Sequence, residues 1–135
     1  MYRYLSSFLI ASVVFAFLDL PWLSLMTEKL YRPVIGEIMA AEFRKAPAIV
    51  FYVIYLLAIV WFAVRPALKS GKWSDALING AALGLVCYAT FDLTNQAVMK
   101  VWSTKISVID ICWGAYATSV TSALTAFLIL KFGKS

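Results

Sequence analysis

The chain has 135 residues, of which 63% are hydrophobic and 14% charged, and its net charge is +5. Soluble domains usually carry about 25% charged residues, so this chain has too little polar surface to cover itself in water. The composition excludes an ordinary soluble domain. Because no basic run has interleaved aromatic residues, we also expect no nucleic-acid partner.

Four apolar runs follow one another: Tyr4 to Met26, Pro47 to Val64, Ala76 to about Met99, and Ile106 to Leu130. Each is close to the ~20 residues that a helix needs to cross the hydrocarbon of a bilayer. Charged residues crowd into the connections and do not form one polar face per run, which disfavours a soluble helical bundle. The sequence predicts a single all-α domain over residues 1–135, a compact bundle of four transmembrane helices.

The first run follows Arg3 and has the general appearance of a secretory signal peptide. It is longer than the apolar region of such a peptide, contains Asp19 and lacks a clear small-x-small cleavage site. We therefore expect it to be a helix of the mature protein.

The connection from Thr27 to Ala46 is the longest of the chain and mixes charged with apolar residues around Pro33 and Gly36. The spacing of its apolar residues is compatible with a short amphipathic helix on the membrane surface. A solvated loop is the alternative interpretation.

A weak internal similarity relates the first and third runs. Without gaps, Ala16, Asp19, Leu20 and Met26 align with Ala89, Asp92, Leu93 and Met99. A duplication would make the protein two tandem helical hairpins of the same orientation, and chance is the alternative.

The distribution of charged residues among the connections and termini predicts the orientation in the membrane. With the N-terminus inside, the basic residues divide six to six between the two sides, and Arg3, Lys131 and Lys134 are among those on the cytoplasmic side. Glutamates dilute the positive charge of the first connection, which favours N and C termini in the cytoplasm.

The two cysteines, Cys87 and Cys112, both fall within predicted helices, where a thiol acts as a small apolar group. The chain has no histidine. We expect no disulfide and no metal site, and the sequence identifies no cofactor.

Three carboxyl groups, those of Asp19, Asp92 and Asp110, lie within or at the edge of the runs. A charged carboxylate costs about 2.5 to 3.5 kcal/mol at the bilayer centre, so each is a candidate functional residue. Asp19 and Asp92 come late in outward-running helices and Asp110 comes early in an inward-running one. All three should therefore converge in the outer part of the membrane, where carboxyl groups in one desolvated site share protons.

Hydrogen-bonding residues accompany these acids. Tyr52 and Tyr55 have the same depth on the second helix, Tyr88 lies on the face of Asp92, and an indole or amide follows each acid three positions on. The candidate ligand-binding or proton-binding residues are Asp19, Asp92, Asp110, Asn95, Trp22, Trp113, Tyr52, Tyr55 and Tyr88.

Small residues share the helical faces of the acids, among them Gly84 with Asp92 and Gly114 with Asp110. Small residues let membrane helices approach closely, so the acids should face other helices and not lipid. The alternative to a functional site is that the acids and their partners only hold the four helices together through buried hydrogen bonds.

Several sequence segments together resemble a known family: Leu18-Asp19-Leu20-Pro21-Trp22, Arg65-Pro66-Ala67-Leu68, Tyr88 to Asn95 with its Asp-Leu-Thr-Asn element, and Val108 to Gly114 with Asp-x-x-Trp-Gly. Over nearly its whole length, the chain is similar to bacterial predicted membrane proteins catalogued as domain of unknown function 2177. The resemblance implies a bacterial inner-membrane location and a four-helix unit, and it names no activity.

Three functions remain open. The first is a protein that binds or translocates a cation, a proton or a small molecule through the acids, as an oligomer if it transports. The second is a membrane enzyme that acts on a lipid or isoprenoid with paired aspartates as acid and base. The third is an accessory subunit of a larger membrane complex. In each case the lipid bilayer is a partner.

Overall fold

The computed structural model describes residues 1–133, and over this range it contains helices and no strands. Four helical stretches are long and apolar enough to cross a membrane: Tyr2–Ile38, Lys45–Ser70, Trp73–Val98 and Thr104–Phe132. The predicted all-α bundle of four transmembrane helices is confirmed. Lys134, which entered the prediction of orientation, lies outside the described residues.

The first stretch is α1, Tyr2–Met26, extended by a π-helical turn over Thr27–Tyr31, the short α2, Arg32–Ile35, and a 3-10 turn over Gly36–Ile38. The longest connection therefore begins as a helical continuation of α1. Leu30 in the π-helical turn is buried.

The second stretch consists of α3, Lys45–Ala58, a π-helical segment over Ile59–Val64, and α4, Arg65–Ser70. It ends at Gly71, which has a φ of 77° and donates its N–H to the carbonyl of Ala67 at 2.9 Å. Glycine adopts this left-handed conformation without a steric penalty, so the chain turns sharply into the next helix.

Both π-helical segments end directly before an arginine-proline pair, Arg32-Pro33 in one case and Arg65-Pro66 in the other. A proline within a helix has no N–H to donate, and its ring clashes with the carbonyl of the preceding turn. The wider π-helical turn accommodates both effects without ending the helix.

The most extensive helix packing joins α5, Trp73–Val98, and α6, Thr104–Phe132. A methyl group on Gly80 would lie 2.7 Å from the carbonyl oxygen of Thr118, and one on Gly84 would overlap the backbone of Gly114. The two backbones are therefore nearly in contact, as the small residues predicted. Gly114 in turn leaves the space that the ring of Tyr88 fills.

The helix α6 is the most buried of the four stretches, and α1 packs against it. Phe15 and Ile59 are fully buried between the helices. Large apolar side chains on the outer faces are exposed instead, for example Phe17 at 81% and Val13 at 70%. Such an apolar exterior is expected where lipid, and not water, surrounds a bundle.

Candidate functional site: an aromatic cavity with buried acids

A cavity of about 450 Å³ lies between the helices and is lined by residues from every membrane-crossing stretch. Its wall contains two carboxyl groups, those of Asp19 and Asp110, and no lysine or arginine. Aromatic rings form most of the remaining surface, namely Trp22, Tyr31, Phe43, Phe51, Tyr52, Tyr55, Tyr88, Phe91, Trp102 and Trp113.

Asp19 on α1 is 5% exposed and is hydrogen-bonded to two other helices. The hydroxyl of Tyr52 on α3 donates to its Oδ2, and the indole Nε1 of Trp113 on α6 donates to its Oδ1 at 3.2 Å. Both donors are neutral. Asp19 therefore links three helices, and no basic residue of the described range forms an ion pair with it.

Asp110, near the start of α6, is also 5% exposed. Its Oδ1 accepts a hydrogen bond from the hydroxyl of Tyr31, which lies in the π-helical turn after α1. This contact brings the start of the longest connection into the wall of the cavity.

Asp92 on α5 is fully buried. No donor group among the described residues reaches either of its carboxyl oxygens. Its carboxyl group instead lies against that of Asp110. Two carboxyl groups can hydrogen-bond each other only when one of them carries a proton, so this pair is suited to sharing one. Asp19, Asp92 and Asp110 are called the acid cluster below.

The aromatic part of the wall is organised in pairs. The rings of Trp22 and Trp113 are stacked, with centroids 4.3 Å apart and an angle of 2° between their planes. Tyr55 and Tyr88 meet edge to face at 6.2 Å. These contacts hold several aromatic rings together in the wall of the cavity, and aromatic rings can bind both cations and apolar groups.

Seven of the nine residues predicted as binding residues line the cavity; Asp92 does not line it but lies against Asp110, and Asn95 is not part of the lining. Asn95 is half-buried and makes no side-chain hydrogen bond within residues 1–133. Tyr55 lines the cavity, but its hydroxyl bonds to that of Thr118 at 2.6 Å and not to an acid. A role in binding stays a prediction for all nine.

Nine residues of the cavity lining are not among the predicted binding residues, and two of these, Tyr31 and Trp102, donate hydrogen bonds through their side chains. Tyr31 is the donor to Asp110, and Trp102 donates its Nε1 to Ser107 at 3.1 Å. The signal that could have found Tyr31 is the proline at position 33, which marks a distorted continuation of α1.

No lysine or arginine among the described residues lines the cavity or forms an ion pair with the acid cluster. Among residues 1–133 the one ion pair joins Arg32 and Glu28 at 2.9 Å, and both side chains are exposed. In the same range, no group of three or more His, Cys, Asp or Glu residues has an arrangement that could hold a metal ion. The lining of the cavity therefore combines aromatic rings with carboxyl groups that have no basic partner in the described part of the chain.

A bundle of four apolar helices with polar groups buried at its centre defines an integral membrane protein, whose outer surface contacts the lipid bilayer. Residues 4–127 match the family model described as predicted membrane protein, DUF2177, and the chain belongs to this family. No curated protein and no solved structure is significantly similar to the chain.

Proposed function

We propose that the protein binds a cation, a proton or a basic small molecule in the cavity, with the acid cluster as the group that receives it. The observation that carries the proposal is the state of Asp92. Its carboxyl group is fully buried, has no hydrogen-bond donor among the described residues and adjoins a second carboxyl group. Burying acids without a counter-charge is costly, and a bound cation or proton relieves that cost.

A purely structural role explains the acid cluster less well. Polar contacts within membranes contribute only about 0.6 kcal/mol each on average, and uncharged side chains make them at lower cost. A role in helix packing would also account for Asp19, which bonds two helices, but it gives no reason to place the carboxyl group of Asp92, which has no donor among the described residues, beside a second carboxyl group.

We further propose a bacterial inner-membrane location with both termini in the cytoplasm. The family resemblance supports the location, and the weak charge bias of the connections supports the orientation. A green fluorescent protein fused to the C-terminus tests the orientation, because it fluoresces only when it folds in the cytoplasm. A fusion protein that is inserted in the membrane but does not fluoresce would contradict this orientation.

A membrane enzyme acting on a lipid or isoprenoid is the second candidate. The observation that favours it is the carboxyl pair of Asp92 and Asp110, because two adjoining carboxyl groups can serve as acid and base in turn. Turnover of a lipid by the purified protein that disappears in Asp110→Asn would support this candidate over binding alone.

The test of the proposed function is thermal melting of the protein, purified in a neutral detergent, across pH and a panel of inorganic and organic cations. A ligand that binds only the folded state stabilises it by about 2.7 kcal/mol at a concentration of 100 times its Kd. The matched control is Glu37→Gln, which neutralises an exposed glutamate away from the cavity.

The expected result is that at least one cation, or a change in pH, shifts the melting temperature of the wild type and of Glu37→Gln by several degrees. The same condition should have little effect on Asp19→Asn and Asp110→Asn. If all proteins respond alike under every condition, the acid cluster receives nothing, and the accessory-subunit interpretation replaces ours.

A further inference from the structure

We propose that the ligand of the cavity is an organic cation, an ammonium group attached to an apolar body. This inference rests on the proposed function and deepens it by naming the chemical class. It follows from the lining of the cavity, the state of its carboxyl groups and its size.

The lining favours an organic over an inorganic cation. Small metal ions need several oxygen ligands to replace their water, and within residues 1–133 no group of three or more His, Cys, Asp or Glu residues is arranged to hold one. Stacked indoles such as Trp22 and Trp113, beside Tyr88 and Phe91, offer ring faces and edges instead. Aromatic faces attract substituted ammonium groups, whose charge is only weakly hydrated.

The carboxyl groups in the cavity wall already use part of their hydrogen-bonding capacity. Asp19 already accepts bonds from Tyr52 and Trp113, and Asp110 accepts one from Tyr31. All three donors are neutral and no lysine or arginine within residues 1–133 lines the cavity, so part of the acceptor capacity of its carboxyl groups is occupied without an opposite charge beside them. This state matches a fully substituted ammonium group, which carries a charge but has no proton to donate.

The size of the cavity agrees with such a ligand. Its volume of about 450 Å³ is far larger than a dehydrated metal ion or a single water molecule requires. It falls within the range of about 300 to 1,000 Å³ that is typical of sites for small organic molecules. An ammonium group near Asp19 and Asp110 leaves room for an apolar body against the aromatic wall.

The test compares benzyltrimethylammonium with neopentylbenzene, which has the same shape but a carbon in place of the charged nitrogen. Binding to the protein in a neutral detergent is measured by tryptophan fluorescence and by calorimetry. The variants are Asp110→Asn, which removes charge, and Trp22→Leu, which removes one ring of the stacked pair. Trp73→Leu is the control, because Trp73 lies outside the cavity lining and packs against Phe127.

We expect saturable binding of benzyltrimethylammonium that is at least about tenfold weaker in Asp110→Asn and in Trp22→Leu, and unchanged in Trp73→Leu. The neutral compound should bind at least about tenfold more weakly than the cation.

Equal binding of the neutral compound would overturn the inference, because the cavity would then select apolar shape alone. If sodium, potassium or magnesium stabilises the folded wild type through the acids while benzyltrimethylammonium does not bind, the inference fails and the proposed function stands. If the folded wild type binds neither class of cation and its melting temperature does not depend on pH, both the inference and the proposed function fail.

Discussion

The indole N–H of Trp113 on α6 donates a hydrogen bond to the carboxyl group of Asp19 on α1 at 3.2 Å. Spacing along the sequence places Trp113 on the same helical face as Asp110, one turn away. In the structure its N–H group bonds to Asp19 of α1, and its ring stacks on Trp22, which also belongs to α1. Trp113 therefore ties α1 to α6 at the wall of the cavity.

Substituting Trp113→Phe should weaken this connection, because phenylalanine keeps an aromatic ring but has no N–H. The expected loss is about 0.6 to 1.7 kcal/mol in the free energy of unfolding, from the average to the largest value found for hydrogen bonds between membrane helices by double-mutant cycles. Unfolding in mixed micelles of neutral detergent and dodecyl sulfate measures it. The control Trp61→Phe alters a side chain that is 57% exposed and should change stability by less than about 0.5 kcal/mol. Equal losses in the two variants would show that the bond to Asp19 contributes nothing.

Substituting Gly84→Ala should force α5 and α6 apart, since the added methyl group would overlap the backbone of Gly114. Overpacking of this kind costs about 1 to 3 kcal/mol. The comparison is Gly36→Ala, whose methyl group would lie 3.2 Å from the flexible side chain of Arg32. We expect a clear drop in melting temperature for Gly84→Ala and little change for Gly36→Ala. A Gly84→Ala protein that melts like the wild type would contradict the close helix crossing.

Substituting Asp92→Asn should leave the protein as stable as the wild type or make it more stable. Asp92 has no hydrogen-bond donor among the described residues, and an amide in its place can donate to Asp110. Asp19→Asn is the matched contrast, because Asp19 already accepts from two donors and an amide N–H would face one of them. Asp19→Asn should therefore lower the melting temperature, whereas Asp92→Asn should leave it unchanged or raise it. A marked loss of stability in Asp92→Asn would show that its carboxyl group is satisfied in a way that the structure does not describe.

Alkylation of Cys87 should report occupancy of the cavity, because this half-buried thiol lies in its wall. The experiment uses a Cys112→Ser background, since Cys112 is exposed outside the cavity. Saturating benzyltrimethylammonium should slow the reaction of Cys87 with N-ethylmaleimide several-fold, as judged by mass spectrometry. In the converse single-thiol variant, Cys87→Ser, the labelling of Cys112 should be unaffected. Equal slowing at both thiols would indicate a general effect of the compound on the micelle.

The four helices could be predicted because an apolar run of about 20 residues has few alternatives to a membrane-crossing helix. The proximity of the three acids could also be predicted, since their depth depends only on the position along each helix and on the alternation of direction. Depth does not determine rotation about the helix axis, however. This is why Asn95, three residues after Asp92, was expected beside the acids but lies outside the cavity.

Tyr31 shows a second limit of sequence reasoning. Its contact with Asp110 depends on the helical continuation of α1 beyond Met26, through a π-helical turn that ends before Pro33. Hydrophobic periodicity does not describe such a turn, and charged residues around Tyr31 favour an interfacial position.

The relation of the two hairpins by duplication stays a prediction.

The central claim is that the cavity beside Asp19 and Asp110 receives an organic cation. The most direct test is a crystal structure of the protein with (4-bromobenzyl)trimethylammonium, in which anomalous scattering locates the bromine. Our account predicts one strong bromine peak inside the cavity, near the stacked rings of Trp22 and Trp113, with the ammonium group towards the carboxyl groups. An empty cavity at saturating concentration, or bromine peaks only on the lipid-facing surface, would contradict it.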